Sequence, residues 1–335
     1  MLTTGSTPEN PQHKSVSLGT LLLMLILAAS IIALVSLLYT QRSNQETAMM
    51  EKEEVPQTAY GEPPSFLYSL YGSTSGHLRS PMGVYVDQGG RIYVASTNSH
   101  QVQVFTPMGK YEFSFGKQGS RPGEFSFPYG ITALDTGNLL ISETGNGRIQ
   151  EFTPGGRYVG QWAGQGSNIK VKKPGPLKVR EGILYIGDLV SQQVKVVNLK
   201  SGGQRLVDKQ FYPHGVGIDS SGKVYVANAG TYNVKIFDPQ GQAIGTIPKA
   251  GNPQAFDLLR GLAVDSQDRI YAVDSLACQI KVFHPGGQLL FTFGSKGSGN
   301  GELFYPTGIF IDSKDRIYIA DWGNNRVCVW DYRKG

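Results

Sequence analysis

Gly308-Ile309-Phe310-Ile311-Asp312, a short polar turn, and then Arg316-Ile317-Tyr318-Ile319-Ala320-Asp321 form a phrase that this chain repeats. Gly261-Leu262-Ala263-Val264-Asp265 leads in the same way to Arg269-Ile270-Tyr271-Ala272-Val273-Asp274. Gly83-Val84-Tyr85-Val86-Asp87 leads to Arg91-Ile92-Tyr93-Val94-Ala95. Apolar runs of about five residues, bounded by Gly, Asp and Pro, predict short antiparallel strands. Self-similarity at roughly forty-odd residues predicts stacked units, none of which can bury its apolar faces alone.

Working outward, six inner-strand openings fall near Gly83, Gly130, Pro176, Gly215, Gly261 and Gly308. Third strands are predicted at Val102–Phe105, Ile149–Phe152, Val194–Val197, Val234–Phe237, Ile280–Phe283 and Val327–Trp330. Four strands per unit, set radially, give propeller geometry. The last unit stops after its third strand at Trp330-Asp331-Tyr332. Gly76-His77-Leu78-Arg79-Ser80-Pro81 matches Gly123–Pro128 and Gly301–Pro306, segments that follow a fourth strand. Phe66 to Tyr71 is therefore expected to complete the sixth unit, closing the ring and removing an exposed edge.

With these motifs in view, residues 66–335 resemble the NHL-repeat family of six-bladed β-propellers. The resemblance rests on the P-x-G strand opening, the G-x-I/V-Y-V-A-D second strand and the N-x-R-I/V-x-V-F third strand. Gly147-Arg148-Ile149-Gln150-Glu151-Phe152 and Asn325-Arg326-Val327-Cys328-Val329-Trp330 are nearest to the last of these. Gln101, Gln193, Asn233 and Gln279 replace the arginine elsewhere, which weakens any shared arginine contact but not the fold.

Ahead of the repeats lies a different composition. After a tail at 1–16, the segment 17–40 contains an uncharged apolar run from Leu18 to Tyr39. A helix of about 20 such residues spans a bilayer core. A cleaved signal peptide would show a shorter apolar centre and an A-x-A site; the run instead ends Val35-Ser36-Leu37-Leu38-Tyr39. The expected fold class is thus an all-β, six-bladed propeller preceded by a single transmembrane α-helix, with 41–65 as a polar, Pro-containing linker. Flanking charges nearly tie under the positive-inside rule. The short tail before the apolar run favours a propeller exported beyond the cytoplasmic membrane.

Of 335 residues, 43 are glycine and 2 are cysteine, Cys278 and Cys328, too few for a disulfide framework. The net charge of +5 is unevenly placed. Lys170, Lys172, Lys173, Lys178 and Arg180 crowd the opening of the third unit and make a basic patch suited to an anionic polymer. Nucleic acid is disfavoured as a partner, because it would need a cytoplasmic propeller.

Strand order puts Met82, Tyr129, Gly175, His214, Arg260 and Thr307 around the central opening. The second-strand ends Ser96, Glu143, Asp188, Asn228, Asp274 and Asp321 are expected nearby, with His100, Tyr232 and Trp322 outside them. A His, an Arg, a Tyr and several carboxylates make the best binding candidate, set against the plainer alternative that strand-end acids lock backbone amides. Relatives of the resembled fold include zinc lyases using several histidines. Here only His214 occupies a mouth position, so a three-His site is not assembled. A lactonase-like Glu/Asn/Asp set can be drawn from Glu143, Asn228 and Asp274. Gly294–Gly299 lacks Walker spacing, and Asp265–Asp268 and Asp312–Asp315 fit β-turns. No cofactor, haem, nucleotide, metal or nucleophile–base–acid set is indicated. The sequence favours a non-catalytic binding scaffold for a protein or polymer, with a mouth enzyme of lyase or lactonase type as the alternative.

Overall fold

The computed structural model describes residues 61–73, 76–209, 212–248 and 256–332. Six four-stranded antiparallel sheets make up the described fold. Their inner strands are Pro81–Val86, Pro128–Ala133, Pro174–Arg180, Pro213–Ile218, Leu259–Val264 and Pro306–Ile311, taken as blades 1 to 6. Inner strands of successive blades touch all the way round, blade 6 against blade 1 included.

Because side chains alternate across a strand, each blade offers an apolar layer to both neighbours. The core is accordingly split into layers between blades. Val84, Ile92 and Val94 of blade 1 pack with Tyr318, Val327 and Val329 of blade 6. Tyr93, Val102 and Val104 face Ile131, Ile141 and Phe152 of blade 2 on the other side.

Ring closure is made by Ser65–Leu70, which pairs antiparallel with Arg326–Asp331. Phe66 lies edge-on to Trp330 at 5.8 Å, and Leu70 is buried in the layer between blades 6 and 1. Both cysteines are buried and free.

Glycine explains the P-x-G opening. A Cβ at Gly83 would strike the backbone of Tyr129, one at Gly130 that of Gly175, and one at Gly215 that of Arg260 and Leu262. Gly261 stands so against Thr307, and Gly308 against Met82. Each glycine therefore lets its strand approach the next blade, and the series returns to its start. The ladder skips here in all six blades, as between Pro81 and Val84 or Pro306 and Ile309. Such a bulge re-aims the intervening side chain.

Among the described residues no helix is long and apolar enough to cross a membrane. The anchor expected at 17–40 lies outside them, as do the tail and most of the linker.

Candidate functional site

The bulges fall at Met82, Tyr129, His214, Arg260 and Thr307; Met82, Tyr129 and His214 line the central channel, and Tyr129, His214 and Arg260 make direct contact. Nδ1 of His214 lies 3.0 Å from Nη1 of Arg260 and 3.1 Å from the Tyr129 hydroxyl. Arg260 Nη1 also lies 3.3 Å from Nε2, and because a guanidinium can only donate, the imidazole is the acceptor in this contact. Burial, and then the Arg260 charge, hold the His214 pKa down to about 3. His214 is therefore neutral at physiological pH, and the cation of this cluster is Arg260. Burial raises the Tyr129 hydroxyl, so it too stays protonated. Thr307 belongs to the scaffold, its hydroxyl donating to Pro81 O at 3.1 Å across the junction of blades 6 and 1.

Below this cluster runs a central channel of about 80 Å³, lined by Met82, Tyr129, His214, Lys178 and Phe310 among others. Small-molecule sites are usually about 300–1,000 Å³, so the channel admits little more than water. Lys178 sits within it, its Nζ 5.6 Å from the centre of the Phe310 ring. Burial, reinforced by the Arg180 charge, lowers its pKa.

The strand-end acids are spent on backbone amides, the plainer of the two alternatives that the sequence offered. Glu143, Asp188, Asp274 and Asp321 are buried. Each receives backbone amides of the loop leading into its own blade: Ser126 N to Glu143, Lys172 N and Lys173 N to Asp188, Asp257 N and Leu258 N to Asp274, Phe304 N to Asp321. Ser96 and Asn228 do the same for Arg79 N and Tyr212 N. Buried carboxylates need such partners. Their task is to hold the lead-in loops, and so to place the mouth residues.

Arg148 and Arg326 extend the same device. Arg148 Nε meets Glu143 at 2.6 Å, and Arg326 Nε meets Asp321 at 2.8 Å. The remaining nitrogens bind carbonyls of the preceding connector, Ser120, Arg121 and Glu124 for Arg148, and Ser298, Gly299 and Glu302 for Arg326. The glycine-rich loop at 294–299 is thus a connector tied down by an arginine.

Glu143, Asn228 and Asp274 are each committed within their own blade, so they do not fit a shared metal. Among the described residues no group of three or more His, Cys, Asp or Glu side chains is placed to hold one. The basic patch is also divided. Lys170, Lys172 and Lys173 are exposed on the loop into blade 3, Lys178 is in the channel, and Arg180 lies at the far end of the strand beside Glu181.

A feature the sequence showed only in part is the apolar dressing of the mouth face. Phe127, Tyr212 and Tyr305 on lead-in loops are exposed, and so are Val190, Tyr232, Leu276 and Trp322 on the loops between second and third strands. Tyr305 and Trp322 stand edge to face, with ring centres 6.4 Å apart. Phe127 packs on His100 at 4.7 Å. On the loops of the opposite face, Met108 is the exposed large apolar residue among those described. A left-handed backbone at Phe127 and Tyr305 (φ of 52° and 50°) swings these rings outward. No local sequence signal announces that swing.

Comparison with known proteins agrees with this geometry. Residues 261–335 match the family described as 6-bladed beta-propeller, and residues 78–105 match the NHL repeat. A 40-residue stretch is 52% identical to Protein lin-41 of Caenorhabditis elegans, covering 12% of this chain but only 4% of that protein. A streptogramin B lyase structure superposes with a TM-score of 0.55 at 13% identity, over 75% of this chain and 78% of the other. Virginiamycin B lyase from Staphylococcus aureus with quinupristin gives 0.54 at 14%, over 75% and 80%. A gluconolactonase from Xanthomonas campestris gives 0.63 at 14%, over 81% and 95%. At such identities the likeness is one of fold. Repeat, ring and closure together make the described residues a six-bladed β-propeller, with an NHL repeat at 78–105.

Proposed function

We propose that this propeller is a membrane-tethered, non-catalytic binding scaffold that holds a protein partner on its mouth face, outside the cytoplasmic membrane. The observation that carries the proposal is the ring of exposed aromatic and aliphatic side chains around the Tyr129–His214–Arg260 cluster. Exposed apolar side chains gathered on one face suit an interaction surface, and aromatic residues with an arginine are the usual anchors. The channel beneath is too narrow to seat a substrate, so contact is made across the face.

The test places a photo-crosslinking amino acid at Trp322 or, on the opposite face, at Met108, in the full chain in native membranes. Discrete adducts from position 322 and none from 108 are expected. Equal labelling from both faces would remove the mouth from consideration. Protease added to intact cells should digest the propeller if it is exported as proposed.

The alternative is an enzyme at the same mouth, favoured by the likeness to lyase and gluconolactonase propellers. General bases work best with a pKa near the operating pH. With its pKa held to about 3, His214 is a weak base. An activity on lactones that disappears in His214→Ala would decide for the enzyme.

A further inference from the structure

Blade 3 departs from its siblings at one contact on the face away from the mouth. In blades 1, 4, 5 and 6 an aspartate ends the inner strand and accepts a hydrogen bond from a second-strand tyrosine. The pairs are Tyr93 to Asp87 at 3.3 Å, Tyr225 to Asp219 at 2.9 Å, Tyr271 to Asp265 at 2.9 Å and Tyr318 to Asp312 at 3.2 Å. Blade 2 loses both partners together, with Leu134 and Leu140 in those positions. Blade 3 keeps the tyrosine and inverts the charge opposite it. Tyr185 pairs with Lys178 as Tyr93 does with Tyr85, and Val179 pairs with Leu184 as Val86 does with Ile92. The next residue, where the others carry aspartate, is Arg180.

An open pocket of about 540 Å³ stands at this point, lined by Arg180, Tyr185 and Arg205, by Asn198, and by apolar groups such as Ile183 and Ile218. Arg205 donates from Nη2 to Pro239 O at 2.9 Å, while its Nη1 is buried without a hydrogen-bond partner. Arg180 donates from Nη1 to Ile218 O at 2.9 Å. The nearest carboxylate, Glu181, meets Arg180 Nε at 3.3 Å with its side chain 80% exposed. Exposed pairs of this kind are weak and screened, so Glu181 does not replace the missing aspartate.

We propose that this pocket binds a small organic carboxylate, whose carboxyl group takes the place on Tyr185 that an aspartate fills in the sibling blades. Two guanidinium groups supply the charge-assisted donors that such a group prefers. The volume falls within the usual range for small-molecule sites, about 300–1,000 Å³, and the apolar wall suits a carboxylate with a hydrophobic body. The site is independent of the mouth and stands whether or not a partner docks there.

The probe is benzoate, with its uncharged isostere benzamide as control, measured by saturation-transfer NMR on the full chain in detergent. Benzoate should bind at least about tenfold more tightly than benzamide, the size expected for a hydrogen bond to a charged group. Arg180→Asp restores the sibling contact, so it should raise the melting temperature and abolish benzoate binding. Tyr185→Phe should fold normally and weaken benzoate, while Glu181→Gln should strengthen it. Equal binding of benzoate and benzamide, absence of benzoate binding in the unaltered chain, or its retention in Arg180→Asp would each overturn the proposal.

Discussion

His214 shows how little a residue's identity says about its charge. A histidine alone titrates near neutrality, but burial and the adjacent Arg260 push this one to about 3. The consequence for stability has a definite sign. Between pH 6.5 and 3 the unfolded chain protonates this imidazole and the folded chain does not, so folding is disfavoured as pH falls through that window. Above pH 6.5 both states are neutral and the effect vanishes. The melting temperature of the protein should therefore drop more steeply between pH 6.5 and 4.5 than that of His214→Asn. A difference of about 2–4 °C corresponds to about 1 kcal/mol in a domain of this size. Parallel curves in a calorimetric pH series would show that His214 is solvated and free to protonate.

At the scale of the element, the unit of construction is a second-strand end clasping the loop into its own blade. Blades 2 and 6 add an arginine that ties this clasp to the preceding connector. Removing one partner of a buried ion pair leaves an uncompensated charge and costs about 3–5 kcal/mol. Arg326→Ala should lose about that much in urea denaturation, with Asp321 left buried. Arg91→Ala, which breaks an exposed pair with Glu112, should lose less than about 1 kcal/mol. Similar losses in both variants would refute the clasp. The strands of this element were plain in the sequence, because alternation and turn residues are local signals. The role of the acids was not, because Asp at a strand end reads alike whether it faces a cavity or a backbone amide 16 residues back along the chain.

Across the whole molecule, stability depends on a strand from the front of the domain joining the sheet at its back. Deleting Ser65–Leu70 uncovers the edge of Arg326–Asp331 and removes Leu70 from the layer between blades 6 and 1. Burying such a side chain is worth about 1.5–3 kcal/mol, and a ladder of backbone hydrogen bonds goes with it. A melting temperature lowered by about 5 °C or more is expected, together with concentration-dependent association through the freed edge. An unchanged melting curve would mean that the ring is held shut elsewhere.

The amino-acid order by itself determined the number of blades, the strands within them, and the front segment that finishes the last. Those follow from periodicity and from a unit found incomplete at one end and in surplus at the other. Only the tertiary structure decided which polar residues are spent on the fold and which face solvent. It joined His214 to Arg260 and Tyr129 from three separate blades, sealed the strand-end acids, divided the basic cluster between a loop and a strand, and brought Arg180 and Tyr185 to one open pocket. The physical reason is that hydrogen-bond satisfaction and burial are properties of neighbours in space, and around a closed ring those neighbours lie tens of residues apart in the chain.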